Sequence, residues 1–213
     1  MNKTSLRSAF SLIELLALIA VLVLFAWFAV PTDDTGKTKR AGIRCFNNLK
    51  NVDLAAHIYA TDNSGLMPGA FFLSNKIDLA TIDVASCFRI FSNELSTPNI
   101  LVCPSDTNAQ EATSFTSLTP KNISYFLSLT AHETMGQSFL AGDRNMQTAN
   151  GQARIPPGLF SLTTNLQLSW SKELHNERGN IAMVDGSVQH FKSVRLNQYF
   201  REHALSTNLL IFP

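Results

Sequence analysis

The feature that most constrains this chain is an apolar run from Phe10 to Val30, closed by Pro31. It holds 21 residues and a single charge, Glu14. As a helix it would be about 31 Å long at ~1.5 Å per residue. The hydrocarbon core of a bilayer is about 30 Å thick. The run therefore reads as a membrane helix in preference to a buried core helix. Lys3 and Arg7 precede it, which predicts a cytoplasmic N-terminus. A secretory signal has a shorter apolar region followed by a small-x-small site. Here the run is too long, and Ala29-Val30-Pro31 would put proline beside the scissile bond, so any cut is expected before the run. Glu14 needs a partner, because a carboxylate costs roughly 2.5–3.5 kcal/mol at mid-bilayer and less near an end. Nothing basic lies inside the run.

Ala9-Phe10-Ser11-Leu12-Ile13-Glu14 resembles the cleavage and methylation signal of type IV prepilins and type II secretion pseudopilins. The resemblance implies a prepilin peptidase that cuts between Ala9 and Phe10 and methylates the new amino terminus. Glu14 would then be the fifth residue of the mature chain (14 − 9 = 5). The residue before the cut is usually Gly in that family and is Ala9 here. Pro31 falls where the family has its helix-distorting proline. The resemblance also supplies a partner for Glu14, the freed Phe10 amine of a neighbouring subunit, whose unperturbed pKa is about 7.7–8.0. At ~4 Å and an effective dielectric of ~20 their raw attraction is about 4 kcal/mol, enough to set filament register.

Three regions follow: a leader over 1–9, a transmembrane or filament-core helix over 10–30, and a head over 31–213. Some 180 residues outside the leader and run suffice for one domain with a real core. The net charge of +1 gives no electrostatic case for nucleic acid over the whole surface. Cys45, Cys87 and Cys103 form no close C-x-x-C metal-ligand pattern. An exported head would permit a disulfide. The sequence leaves open a Cys103 bridge to Cys45 or Cys87, or three buried thiols.

Pro31 and Gly36 predict a kink. From Lys37 the helical period resumes, with Ile43, Phe46, Leu49, Val52, Ala56 and Tyr59 on one apolar stripe and Asp53 on the polar face. Asp62-Asn63-Ser64-Gly65 predicts its end. A second helix is expected over 77–95, with Val84, Cys87, Phe88, Phe91 and Leu95 on one face. Strands are expected over 99–102, 123–129 and 138–140, a loop over 141–158, and one or two strands over 159–170. Asn180 to Phe191 places two strand-like runs around Asp185-Gly186, the signature of a two-residue type I′ hairpin. A short helix is expected over 195–204. The fold class is α+β and pilin-like: one long N-terminal helix, its first half transmembrane, packed on an antiparallel sheet.

His175 lies nine residues before Asp185-Gly186 in a spacing that resembles the His-x9-Asp-Gly domain at the C-terminus of some prepilin-like proteins. Cys45-Phe46-Asn47-Asn48-Leu49-Lys50, Cys103-Pro104-Ser105-Asp106 and Gly142-Asp143-Arg144-Asn145 are similar to pieces of that group. His175, Asp143 and Asp185 could converge on a metal or ligand. The plainer reading, which the residues favour, makes Asp185 a turn residue and His175 a satisfied hydrogen-bonding group. The pseudopilin resemblance implies that a head can hold structural calcium. Asp62, Asp106, Asp143 and Asp185 are the acids to inspect, but they form no recognisable calcium loop, and no cofactor is expected. No nucleophile elbow supports Ser-His-Asp catalysis, so the chain is expected not to be an enzyme.

The resemblance thus implies a structural subunit of a type II secretion pseudopilus or type IV pilus-like filament. Its partners would be prepilin peptidase, other pilin-like subunits and the bacterial inner membrane, with the head in the periplasm or cell envelope. The alternative is a membrane-anchored envelope protein whose head binds a ligand, a secreted substrate or DNA.

Overall fold

A computed structural model describes residues 11–29, 33–148, 154–203 and 207–213. The chain divides into two compact units, Met1–Lys37 and Thr38–Pro213. The first contains helix α1 (Leu12–Ala29), whose start is closed by a reciprocal cap. Ser11 N donates to Glu14 Oε2 at 3.0 Å, and Glu14 N donates to Ser11 Oγ at 3.3 Å. This is the Ser-x-x-Glu capping box, which satisfies two backbone donors that a helix start leaves over. Glu14 thus has a local partner, which the sequence analysis missed.

Two expectations are corrected here. Among the described residues no helix is long and apolar enough to cross a membrane, which overturns the transmembrane helix over 10–30 and the single-pass inner-membrane placement. The 18 residues of α1 make about 27 Å of helix at ~1.5 Å per residue. The pilin-like class with one long N-terminal helix is overturned as well, because α1 and α2 (Asp33–Asp62) are separate elements. Proline lacks the N–H that would continue a helix. The expected kink at Pro31 lies outside the described residues, as do Ala9 and Phe10.

The second unit is built on a six-stranded antiparallel sheet in the order β4-β8-β1-β2-β6-β7. The strands are β1 (Tyr125–Ser128), β2 (Phe139–Asp143), β4 (Gly158–Thr163), β6 (Arg178–Met183), β7 (Val188–Lys192) and β8 (Thr207–Phe212). A second, two-stranded sheet pairs β3 (Met146–Thr148) with β5 (Leu168–Trp170). Alternation along each strand divides the core between the two faces. Tyr125, Leu127, Ala182 and Ile211 pack with Leu49, Val52, Ala56 and Tyr59 of α2 and with Val84, Cys87 and Phe88 of α4 (Val84–Ile90). Phe126, Ile181, Phe191 and Leu210 pack on the other side with Trp170 and with Leu196 and Phe200 of α5 (Ser193–His203). A short helix, α3 (Ala70–Ser74), follows α2.

Other local expectations divide. The stop of α2 is as read: Gly65 has φ 83° and donates to Ala60 O at 2.7 Å, a left-handed helix end. The face Val84, Cys87, Phe88, Phe91 and Leu95 is buried, but the expected helix over 77–95 shortens to α4, preceded by a 3-10 turn at Leu79–Thr81. The strand expected over 99–102 is instead a 3-10 turn, Pro98–Leu101, where proline at the start favours a turn. The loop expected over 141–158 contains the end of β2 and all of β3. On α2, Ile43 is exposed, whereas Cys45 and Asp53 are buried.

Candidate functional site

Four segments bring one side chain each to the interior beneath α2. Cys45 comes from α2, Cys103 from the loop after the Pro98–Leu101 turn, Asp143 from the end of β2 and His175 from the loop before β6. Their ligating atoms all lie within 4.8 Å of one another. His175 Nε2 is 3.2 Å from Cys45 Sγ, 3.4 Å from Cys103 Sγ and 3.4 Å from Asp143 Oδ2. Cys45 Sγ is 3.2 Å from Asp143 Oδ1. Cys45, Cys103 and Asp143 are buried, and the His175 side chain is 9% exposed.

A further layer holds these groups in place. Asp143 Oδ2 accepts hydrogen bonds from Asn180 N at 2.7 Å and Asn180 Nδ2 at 3.0 Å. The amide oxygen of Asn180 is in turn 2.9 Å from His190 Nδ1. Tyr125 Oη lies 3.4 Å from Cys45 Sγ. Cys103 opens a tight turn in which Asp106 N donates to Cys103 O at 2.8 Å. Asp106 then receives Arg144 in a two-pronged pair, Nε to Oδ2 at 2.5 Å and Nη2 to Oδ1 at 2.6 Å, while Ser124 Oγ donates to Oδ2 at 2.8 Å. The pair anchors the Cys103 loop to the residue following Asp143.

The electrostatics follow from burial and mutual contact. The neighbouring Cys45 thiol draws the Cys103 pKa down to about 5, against burial, with His175 adding to the effect. Burial pushes the Cys45 thiol up, so of the two sulfurs Cys103 is the one that ionises first. Burial alone would lower His175, but the contacts with Cys103 and Asp143 outweigh it and hold the imidazole above its ordinary value. Burial raises Asp143 to about 7, against the pull of His175. In chemical terms the site is two thiols, a carboxyl group and an imidazole, a donor set able to hold a soft or borderline metal ion.

The structure brings together His175 and Asp143 from the sequence-read constellation, but places Asp185 elsewhere. Asp185 and Gly186 lie in the loop Val184–Ser187 between β6 and β7, where Ser187 N donates to Asp185 Oδ1 at 2.9 Å. The hairpin is as expected. Its loop has four residues, not two, and Gly186 alone in it has positive φ, at 84°, so it is not a type I′ turn. This loop packs on α2 one step further along, where a Cβ on Gly186 would come 3.7 Å from Asp53 Oδ2. The acids considered for calcium are engaged separately: Asp106 with Arg144, Asp143 with the thiols and Asn180, and Asp185 with its own turn. Cys45 and Cys103 had no sequence signature as ligands, because 57 residues separate them (103 − 45 = 58 steps) and neither belongs to a close pair. The usable signal was the set of short pieces around Cys45, Cys103, Asp143 and His175, each of which carries one member.

No protein-family model matches the chain, and neither does any curated protein or solved structure.

Proposed function

We propose that the chain is a structural subunit of a type II secretion pseudopilus or type IV pilus-like filament, released by a prepilin peptidase cut between Ala9 and Phe10 and assembled through α1. The observation that carries this reading is the surface of α1. Leu12, Ile13, Leu15, Leu16, Leu22 and Phe25 are each more than half exposed, and apolar residues continue between them around the whole helix. A helix apolar on every side calls for an apolar surrounding, and exposed patches of this extent mark association surfaces. α1 of other copies supplies such a surrounding when the helices bundle as a filament core.

In this reading the head forms the filament surface and Glu14 sets the axial step by pairing with the Phe10 amine of a neighbour. The Ser11–Glu14 cap is compatible with that role, since both cap bonds to the carboxylate use Oε2. The test is assembly of Glu14→Val in the producing cell, read by electron microscopy and by sedimentation of sheared filaments. Wild type is expected in filaments, and the variant is expected as a folded chain outside them. Mass spectrometry of the wild-type N-terminus is expected to show methylated Phe10. An uncut Met1, or unaltered incorporation of the variant, would refute the proposal.

A further inference from the structure

We propose that Cys45, Cys103, Asp143 and His175 bind one zinc ion in a closed four-coordinate site that clamps α2 to the sheet. Four observations converge on this. The first is the shape of the cluster. Zinc sits about 2.3 Å from sulfur, about 2.0–2.1 Å from imidazole nitrogen and about 2.0–2.2 Å from carboxylate oxygen. Tetrahedral placement at those lengths separates the ligand atoms by roughly 3.4–3.8 Å. The observed separations are 3.2 Å for Cys45–Asp143, 3.2 Å for Cys45–His175, 3.4 Å for Cys103–His175 and 3.4 Å for His175–Asp143. These four contacts lie within a few tenths of an ångström of tetrahedral spacing, Cys45 meeting Asp143 Oδ1 and His175 meeting its Oδ2, and the remaining pairs lie within 4.8 Å.

The second observation is a shortage of protons. His175 Nε2 has three neighbours at 3.2–3.4 Å, and a single N–H makes one well-aligned bond. Cys45 Sγ faces Asp143 and His175 with one S–H to give, while the Tyr125 hydroxyl has its own proton to donate to the sulfur. Hydrogen bonding alone leaves several of these buried contacts without a proton, whereas a central dication satisfies all four donors at once. On binding, each thiol gives its proton to solvent and each sulfur forms a bond to zinc. The imidazole ligates in its neutral form and the carboxyl group as the carboxylate, with no change of oxidation state.

The third observation is the layer behind the donors. The Asn180 amide and backbone N–H hold Asp143, and Tyr125 Oη approaches Cys45. Metal ligands are oriented by outer hydrogen bonds of this kind. The fourth is the donor chemistry. Two thiolates disfavour calcium and magnesium, which take oxygen ligands, and a four-donor set of two sulfurs, a nitrogen and an oxygen suits zinc. Four protein donors in a buried position leave no open coordination site, so the ion is structural.

The experiment uses the full chain, reduced and stripped with a chelator, then dialysed against zinc or, as a spectroscopic probe, cobalt(II). One equivalent of zinc per chain is expected by elemental analysis. Cobalt is expected to give thiolate-to-metal charge transfer with tetrahedral visible bands. Cys103→Ser and His175→Ala are expected to weaken zinc by more than the roughly 10–100-fold that loss of an outer partner costs. Cys87→Ser, a buried thiol outside the cluster, is expected to keep full stoichiometry. Should the ligand variants fail to fold, the wild type decides alone: zinc raises its unfolding temperature, and the cobalt spectrum reports the sulfurs. Reduced wild type that takes up no zinc would overturn the proposal, as would octahedral cobalt without charge transfer. A chain lighter by two hydrogens with Cys45 joined to Cys103, whose reduced form still takes up no zinc, would assign the pair to a disulfide instead.

Discussion

Cys45 Sγ on α2 stands 3.2 Å from His175 Nε2, 130 positions later in the chain. Two turns along the same helix, Asp53 stands against the loop that holds Gly186. Both ends of the His175-x9-Asp185-Gly186 spacing therefore rest on one face of α2, with β6 running between them. The spacing thus brings both ends of β6 beside α2, His175 against Cys45 and the Gly186 turn against Asp53.

At the Asp53 end the pH dependence has a definite sign. Burial raises Asp53 from 3.8 to about 6, with His57 and Lys50 on α2 lowering it and Asp185 from the hairpin loop raising it. A carboxyl group raised on folding contributes stability that is complete below pH 3.8 and is lost as pH rises through about 6. Asp53→Asn is expected to remove this loss and to gain about 1 kcal/mol over wild type at pH 7, after discounting for solvent screening, with no gain at pH 4. Urea midpoints of both proteins across that range check it, and parallel curves would count against it.

The Asp106–Arg144 pair predicts a larger effect. Both side chains are buried. Asp106→Asn leaves the guanidinium only the half-exposed Glu173 carboxylate, 3.8 Å away, and breaking a buried pair costs up to about 3–5 kcal/mol. Chemical denaturation is expected to show that loss, and a change below about 1 kcal/mol would mean that the loop relaxes to let water reach Arg144.

Close approach of backbone to ring makes two glycines sensitive. A Cβ at Gly179 would run into the Trp170 ring, and one at Gly142 would come 2.7 Å from two Phe126 ring carbons. Gly179→Ala and Gly142→Ala are each expected to destabilise by about 1–3 kcal/mol through overpacking. Gly186→Ala meets little in space but must hold φ near 84°, which costs roughly 1–2 kcal/mol. Thermal unfolding of the three variants separates the two mechanisms, since a smaller ring at position 170 rescues Gly179→Ala alone.

Asn180→Ala tests how Asp143 is held. Its side-chain amide is lost while its backbone N–H remains to donate at 2.7 Å. A loss of about 1–3 kcal/mol is expected from the buried carboxyl oxygen and the stranded His190 nitrogen. The measurement is the unfolding midpoint of the variant in chelator, which separates this effect from any bound metal.

Local periodicity made much of the second unit readable. The α2 positions Leu49, Val52, Ala56 and Tyr59, the α4 face and the β6–β7 hairpin follow directly from spacing, because each buries a regular stripe. The six-stranded order was not readable, since β8 reaches its place between β4 and β1 by a pairing that no local pattern records. Asp53 read as polar surface because periodicity sorts residues by type, and a buried acid held beside a turn breaks that rule. Of the Cys45–Cys103–Asp143–His175 cluster the sequence offered His175 and Asp143, grouped with Asp185 and set behind the plainer reading of a turn residue and a satisfied histidine. Spacing leaves Cys45 and Cys103 open as a disulfide pair or as buried thiols; both are free buried thiols, and their approach to Asp143 and His175 was hidden because only the tertiary path joins them. The length of the run over 10–30 suggested a membrane span, and among the described residues the helix within it is Leu12–Ala29.

The place of β8 has a kinetic consequence. It pairs with both β1 and β4, yet leaves the ribosome after both of them. Until residues 207–212 emerge, β1 keeps one edge open and β4 has no partner in the sheet, and an open edge templates pairing with a foreign chain. The nascent protein is thus most prone to aggregate just before β8 pairs. Its folding rate should reflect that late, long-range closure more than the fast local winding of its helices.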